Sequence, residues 1–273
     1  MEGAEPRGYG FAVPVVAVAV CPCPPLLVPS LASGAAAELD DLRGACDAAL
    51  GRLRSAAGTS PASLVVVGVD TTTRWLAPPY GGTFAPWGEA VEVGATGAAL
   101  PLSLLVAAWL LERDPAAASV TGWGGDDSSR LRMLAVAADA PAAECERLGR
   151  ELAAAGGDTA LLVMGDGSAC RGEKAPGYHD PRAEAFDAAA ADALAAGDPG
   201  RLAALDAGLA GELLAAGRAP WQVLAAAAQA SPPGAGRPGA GPPGAGWEAV
   251  LHYAEAPYGV GYLVASWLAG AGR

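Results

Sequence analysis

Short apolar runs alternate along the chain with stretches of helical spacing. Pro14 to Val20 and Leu64 to Val69 are apolar throughout, and Thr159 to Met164 nearly so. Runs of this length without polar alternation predict strands covered on both faces, as in a parallel sheet. Ser119 to Trp123, Leu131 to Ala137 and Trp247 to Tyr253 predict further strands. Between the first two runs, Ala35 to Ala56 places Leu39, Leu42, Cys46, Ala49, Leu50 and Leu53 along one face, with Gly58 as a stop. Pro101 to Leu111 predicts a very apolar helix with Pro101 near its first position. Pro141 to Ala155 predicts another, followed by Gly156-Gly157. Arg182 to Ala230 reads as a helical zone divided at two points. At Gly197-Asp198-Pro199, Asp198 reads as an N-cap; in Gly217 to Pro220, Ala219 and Pro220 read as N-cap and first helical residue. Gly259 to Ala269 closes the chain as a helix or a strand followed by a helix.

Strand, helix, strand at this spacing predicts an α/β fold, a single domain over residues 13–270. Its central sheet is expected to be mostly parallel or mixed, with helices on both faces. Residues 1–12 are Gly-rich and charged and read as a tail. Ser231 to Gly246 is a Pro/Gly repeat that cannot build a core, and it reads as a disordered surface insertion. Three loops stand out: the proline-rich 21–33, the aromatic-bearing 70–97 and the Gly-rich 165–181 with a Gly124–Ser129 turn as a smaller one.

Charge narrows the partners. The chain carries 17 Lys+Arg against 29 Asp+Glu, a net −12, which leaves no electrostatic footprint for phosphate backbones or anionic lipid. Nucleic acid and membrane are therefore not expected partners. The apolar run from Thr96 to Leu111 contains Pro101 and falls short of the ~20 residues a span needs. Val13 to Val20 has the length of a signal-peptide core, but Glu2 and Glu5 stand where positive charge belongs. Five scattered cysteines without a CxxC pair argue against a disulfide framework or a structural zinc site. A reducing, cytoplasmic setting is expected.

Four clusters carry candidate chemistry. Cys21-Pro22-Cys23-Pro24-Pro25 follows the first strand, at the end of a sheet where ligands bind in open α/β folds. Its thiols are either metal ligands or nucleophiles, or small buried residues lining a proline turn. Gly165-Asp166-Gly167-Ser168 follows another strand, and its glycines permit either close approach to a ligand or a tight turn. Glu173 to Arg182 concentrates acid, base, Tyr178 and His179, as an active-site lid, an oligomer contact or a solvated loop in which Asp180 caps a helix. Glu255 ends the last predicted strand, as a cation ligand, a base or a solvated acid. His252, three residues away, would face the opposite side of an extended strand.

The order of these blocks resembles the class III extradiol ring-cleavage dioxygenases, in their subunit-B-type domain, and more narrowly an actinobacterial branch of that superfamily. The resemblance runs from about Pro14 to Trp267. It is carried by Cys21 to Leu27, by Met164 to Ser168 with Glu173 to Phe186, and by Glu255 to Tyr262. It implies a mononuclear Fe(II) held by two histidines and a glutamate, with open positions for a catechol and O₂, and a further histidine as acid/base. At the corresponding positions this chain has Cys23, Asp70 and Glu255, and Ser168-Ala169-Cys170 at the acid/base turn. Its two histidines, His179 and His252, occupy none of them. The standard iron site therefore cannot be assembled from the motif positions.

Cys23, Asp70 and Glu255 form the candidate metal set, for Fe(II), another divalent metal or none. His179 and Ser168 are the catalytic candidates, and Gly165, Asp166 and Gly167 the candidate substrate contacts. Two functions are expected from this pattern. One is an extradiol-dioxygenase-like protein with an altered or lost metal site, acting on a small aromatic molecule. The other is a non-catalytic metabolite-binding or scaffold protein on the same fold. Homo-oligomerisation is compatible with either.

Overall fold

Val15–Cys21 forms strand β1, and all seven of its residues are buried. This burial needs cover on both faces, and the computed structural model supplies it; it describes residues 15–57, 63–113, 130–154, 157–231 and 246–270. The strands after β1 are β2 (Ser63–Asp70), β3 (Arg74–Leu76), β4 (Gly81–Thr83), β5 (Glu92–Gly94), β6 (Leu131–Ala137), β7 (Thr159–Met164), β8 (Trp247–Glu255) and β9 (Tyr262–Ala269). The helices are α1 (Pro29–Ala32), α2 (Asp40–Ala57), α3 (Leu102–Arg113), α4 (Ala142–Ala153), α5 (Ala183–Ala196), α6 (Pro199–Ala203), α7 (Ala207–Glu212) and α8 (Arg218–Ala230).

The main sheet has seven strands in the order β3-β6-β2-β7-β1-β9-β8. β6, β2, β7 and β1 run parallel. β3 at one edge and β9 at the other side of β1 are antiparallel to their neighbours, and β8 is antiparallel to β9. The sheet is therefore mixed, with a parallel centre. β1 and β2, consecutive strands joined through α2, are not neighbours, because β7 lies between them.

Alternate side chains feed two cores, one on each face. Val18 and Val20 join Leu148 of α4, Phe186 of α5 and Trp221 of α8. Ala17, Ala19 and Cys21 join Leu42, Cys46 and Leu50 of α2 and Leu104 of α3. A register shift between Val15 and Ala17 lets Val16 and Ala17 enter the same core in succession. The helix face expected from Leu39 to Leu53 is buried at every position. Asp198 caps α6 as its residue type predicts, accepting from the N–H groups of Gly200 and Arg201.

Several boundaries differ from the sequence expectation. The closing segment is a strand, Tyr262–Ala269, inserted between β1 and β8. Ladder bonds on both sides and a bond from Trp267 Nε1 to Leu194 O (2.7 Å) outweigh the weak helical preference of its Ala and Leu residues. Residues 33–39 form a 3₁₀ segment, so the α-helix begins at Asp40 rather than Ala35. Gly217 precedes α8, which starts at Arg218 and holds Pro220 within its first turn, where a missing N–H removes no helical bond. The loop from 70 to 97 contains an edge strand and the β4–β5 hairpin, with Phe84 fully buried against Trp87. The expected tail at 1–12, the strand at Ser119–Trp123, the turn at 124–129 and most of the 231–246 insertion lie outside the described residues. Among the described residues no helix is long and apolar enough to cross a membrane.

Helices α4 and α8 approach closely at Gly149 of α4. A Cβ there would lie 2.5 Å from Ala226 Cβ and 2.5 Å from Val223 O, both on α8. Gly149→Ala is expected to destabilise the fold by about 1–2 kcal/mol, because overpacking against backbone exceeds the ~1 kcal/mol gain in helix propensity. Urea unfolding measures this, and an unchanged or raised midpoint contradicts the described helix contact.

Candidate functional site

The parallel centre of the sheet decides where a site can form. The carboxyl ends of β1, β2 and β7 open into a cleft of about 500 Å³. Cys23 to Leu26 come from the loop after β1, Val69 to Thr71 from the end of β2, and Asp166 from the turn after β7. Pro101 to Ser103 at the start of α3 form one wall. Tyr258, Val260 and Tyr262, around the β8–β9 turn, form another.

Cys23 and Asp166 meet at this edge. Cys23 N–H donates to Asp166 Oδ1 at 2.7 Å. Burial, followed by the neighbouring Asp166 carboxylate, pushes the Cys23 thiol well above its ordinary value, so the sulfur is held as S–H. Burial also pushes Asp166 up to about 6, against the lowering effect of its bonds to Cys23. Tyr262 is raised as well, first by burial and then by Asp166. The cleft thus presents a neutral thiol, a carboxyl group that titrates near neutrality and a protonated phenol, surrounded by proline and aliphatic side chains.

The other expected site residues separate. Asp70 lines the cleft, but its Oδ2 is paired with Arg74 Nη1 at 2.6 Å. Glu255 lies at the end of β8 in a different hollow, shared with Arg171, Asp187 and Asp192. Cys23 and Asp70 are therefore brought together and Glu255 is not. His179 is exposed on the loop before α5. His252 sits at a register shift in β8 with Nε2 2.8 Å from Ser266 Oγ, and burial lowers its pKa. Its rise out of the regular ladder removes the simple alternation expected between it and Glu255.

The Gly-rich turn packs rather than binds at two of its three expected contacts. Gly165 N–H donates to Cys21 O, and a Cβ at Gly165 would overlap Gly217 Cα. Gly167 N–H donates to Gly261 O at 2.7 Å, and a Cβ there would meet Asp187 Oδ1. Only Asp166 of the three lines the cleft. Ser168 is fully buried and gives both its N–H and its Oγ–H to the Asp187 carboxylate, each at 2.7 Å. Arg171 Nη1 bonds the same carboxylate at 3.3 Å. Asp187 thus anchors the turn from α5. Nothing in the sequence singles it out within an Ala-rich helix, whereas Tyr262 closes the Glu255–Tyr262 block without being named there as a site residue.

A two-histidine, one-carboxylate iron centre does not fit these residues. No imidazole reaches the cleft, and Asp70 is paired with Arg74. Among the described residues, no group of three or more His, Cys, Asp and Glu is arranged to hold a metal ion. No protein-family profile matches the sequence, and no curated protein is significantly similar to it.

The sign of the Asp166 shift gives a stability prediction. A carboxyl raised from 3.8 to about 6 binds its proton more tightly in the folded chain than in the unfolded one. Its contribution is therefore most favourable below pH ~4 and is lost as pH rises through ~6. Asp166→Asn keeps an acceptor for the Cys23 N–H and removes the titration. Its Tm at pH 8 is expected to rise relative to wild type by roughly 6–12 °C, the shift that about 3 kcal/mol, the worth of a pKa change of about two, gives a domain of this size. The gap should close as pH falls to ~4. Thermal melts across this range check it; a constant gap refutes the assignment.

Proposed function

We propose that this protein is an extradiol-dioxygenase-like fold that binds a small aromatic hydroxyl compound without metal-dependent ring cleavage. The observation that carries this reading is the Cys23–Asp166 pair, 2.7 Å from N–H to carboxylate, at the strand ends where the resemblance implies an iron corner. The Cys23 main-chain N–H engages one oxygen of Asp166, so a proton donor and acceptor sit beside the Cys23 thiol at this corner.

The cleft suits such a ligand in shape and polarity. About 500 Å³ bounded by Pro24, Pro25, Leu26 and Val260 accepts one aromatic ring. Asp166 offers an acceptor to a ligand hydroxyl when ionised and a donor when protonated, and its pKa of about 6 puts both states within reach near neutral pH. Tyr262 and Ser103 add hydroxyls to the same cleft, although Ser103 Oγ already donates to Val69 O at 2.7 Å.

Protein purified anaerobically and supplied with ferrous iron is expected to retain only substoichiometric metal and to consume no O₂ with catechol. Titration calorimetry with catechol should show one site per chain. Tyr262→Phe should weaken it by about threefold to tenfold, the loss of one hydrogen bond. Stoichiometric iron that disappears in Cys23→Ala, together with catechol-dependent O₂ uptake, overturns the reading in favour of an altered metal centre.

A further inference from the structure

Arg218 opens α8 and is 2 % exposed. Its Nη1 donates to Ala140 O (2.6 Å) and Gln222 Oε1 (3.1 Å), and its Nη2 donates to Ala138 O (2.7 Å). Gln222 is itself fixed, because its Nε2 donates to Ala203 O and Leu205 O. The Nε of Arg218 is buried and has no hydrogen-bond partner. Among the described residues, every oxygen bonded to this guanidinium is neutral. The other arginine buried among the described residues, Arg43, has the Asp40 carboxylate at 2.6 Å. Buried cations are normally matched by an anion, since neutral dipoles alone replace their hydration poorly.

Arg218 also lines a cavity of about 490 Å³ that shares only Ala216 with the cleft. The walls are small and apolar: Ala140 and Pro141 before α4, and Ala207, Ala210 and Gly211 of α7. Pro141 is the N-cap of the twelve-residue α4 and brings no side-chain cap, so the positive end of that helix borders the same space. Asp139, exposed, is the one acid in the wall.

We propose that this cavity is a second binding site, for a monocarboxylate with a small apolar body whose carboxylate supplies the missing anion to Arg218. The donor count supports the fit. Nη2 keeps one N–H beyond its bond to Ala138 O, and Nε keeps its own. The remaining Nη2 N–H is the donor offered to a carboxylate oxygen, while Nε, shielded from solvent, adds uncompensated positive charge behind it. Ala, Gly and Pro walls receive the apolar body, and Asp139 disfavours a second negative charge on the ligand.

The test is titration calorimetry of the full chain with hexanoate, and with hexanamide as its uncharged match. Hexanoate is expected to bind at one site per chain, with hexanamide at least about tenfold weaker. A Cβ at Gly211 meets nothing within 4 Å, so Gly211→Leu fills the cavity without a backbone clash. This variant should keep its melting temperature and weaken hexanoate about tenfold or more. Arg218→Met should abolish the preference for the charged ligand; if it fails to fold, Gly211→Leu carries the test. Cys23→Ala should leave hexanoate binding unchanged, which separates this site from the cleft. Equal affinity for acid and amide, no saturable binding at ~10 mM hexanoate, or unchanged binding in Gly211→Leu overturns the proposal.

Discussion

β1 is hydrogen-bonded on both sides and packed on both faces, and the rest of the structure depends on that double burial. β7 and β9 satisfy its backbone, while α2 and α3 on one face and α4, α5 and α8 on the other cover its side chains. No polar side chain can be placed along such a strand without an internal partner. The first groups able to meet a ligand are those past its carboxyl end. Cys21 is still core, buried in contact with the α2 side, whereas Cys23, two residues later, lines the cleft. The two thiols of one short turn therefore have different surroundings.

The same constraint shapes the turn after β7. Gly165 and Gly167 are required because backbone from 217 and the Asp187 carboxylate come too close for a Cβ. Asp187 ties this turn to α5 through Ser168 and Arg171, and Gly217 N–H donates to Asp166 O at 2.7 Å. With its main chain held on both sides, Asp166 is positioned against Cys23 by the framework rather than by its own flexibility. Ala216, next to the Gly217 that bonds Asp166, lines both the cleft and the Arg218 cavity.

Strand and helix identity were legible where burial imposes a simple period. The runs at β1, β2, β6 and β7 and the apolar face of α2 read directly, because these elements pack in the ordinary way. β9 did not, because Ala, Leu and Trp suit either state and the ladder between β1 and β8 made the choice. Of the site, Cys23, Asp70 and Asp166 were marked by their places after apolar strands, and all three line the cleft. Glu255 carried the same mark and lies elsewhere, because its strand is antiparallel and at the edge of the sheet. Asp187 and Arg218 carried no mark, since their partners are 19 and about 80 positions away or depend on packing across elements.

By itself the sequence determined an α/β chain with apolar strands, proline and glycine turns at their ends, an acidic surface and no histidine at the positions where the resemblance places them. These follow from composition and local period, which act along the chain. The tertiary structure alone decided that Cys23 faces Asp166, that Glu255 is apart from both, and that Arg218 is buried among neutral oxygens. The physical reason is that charge state depends on neighbours and desolvation, and these are properties of packed space rather than of residue type.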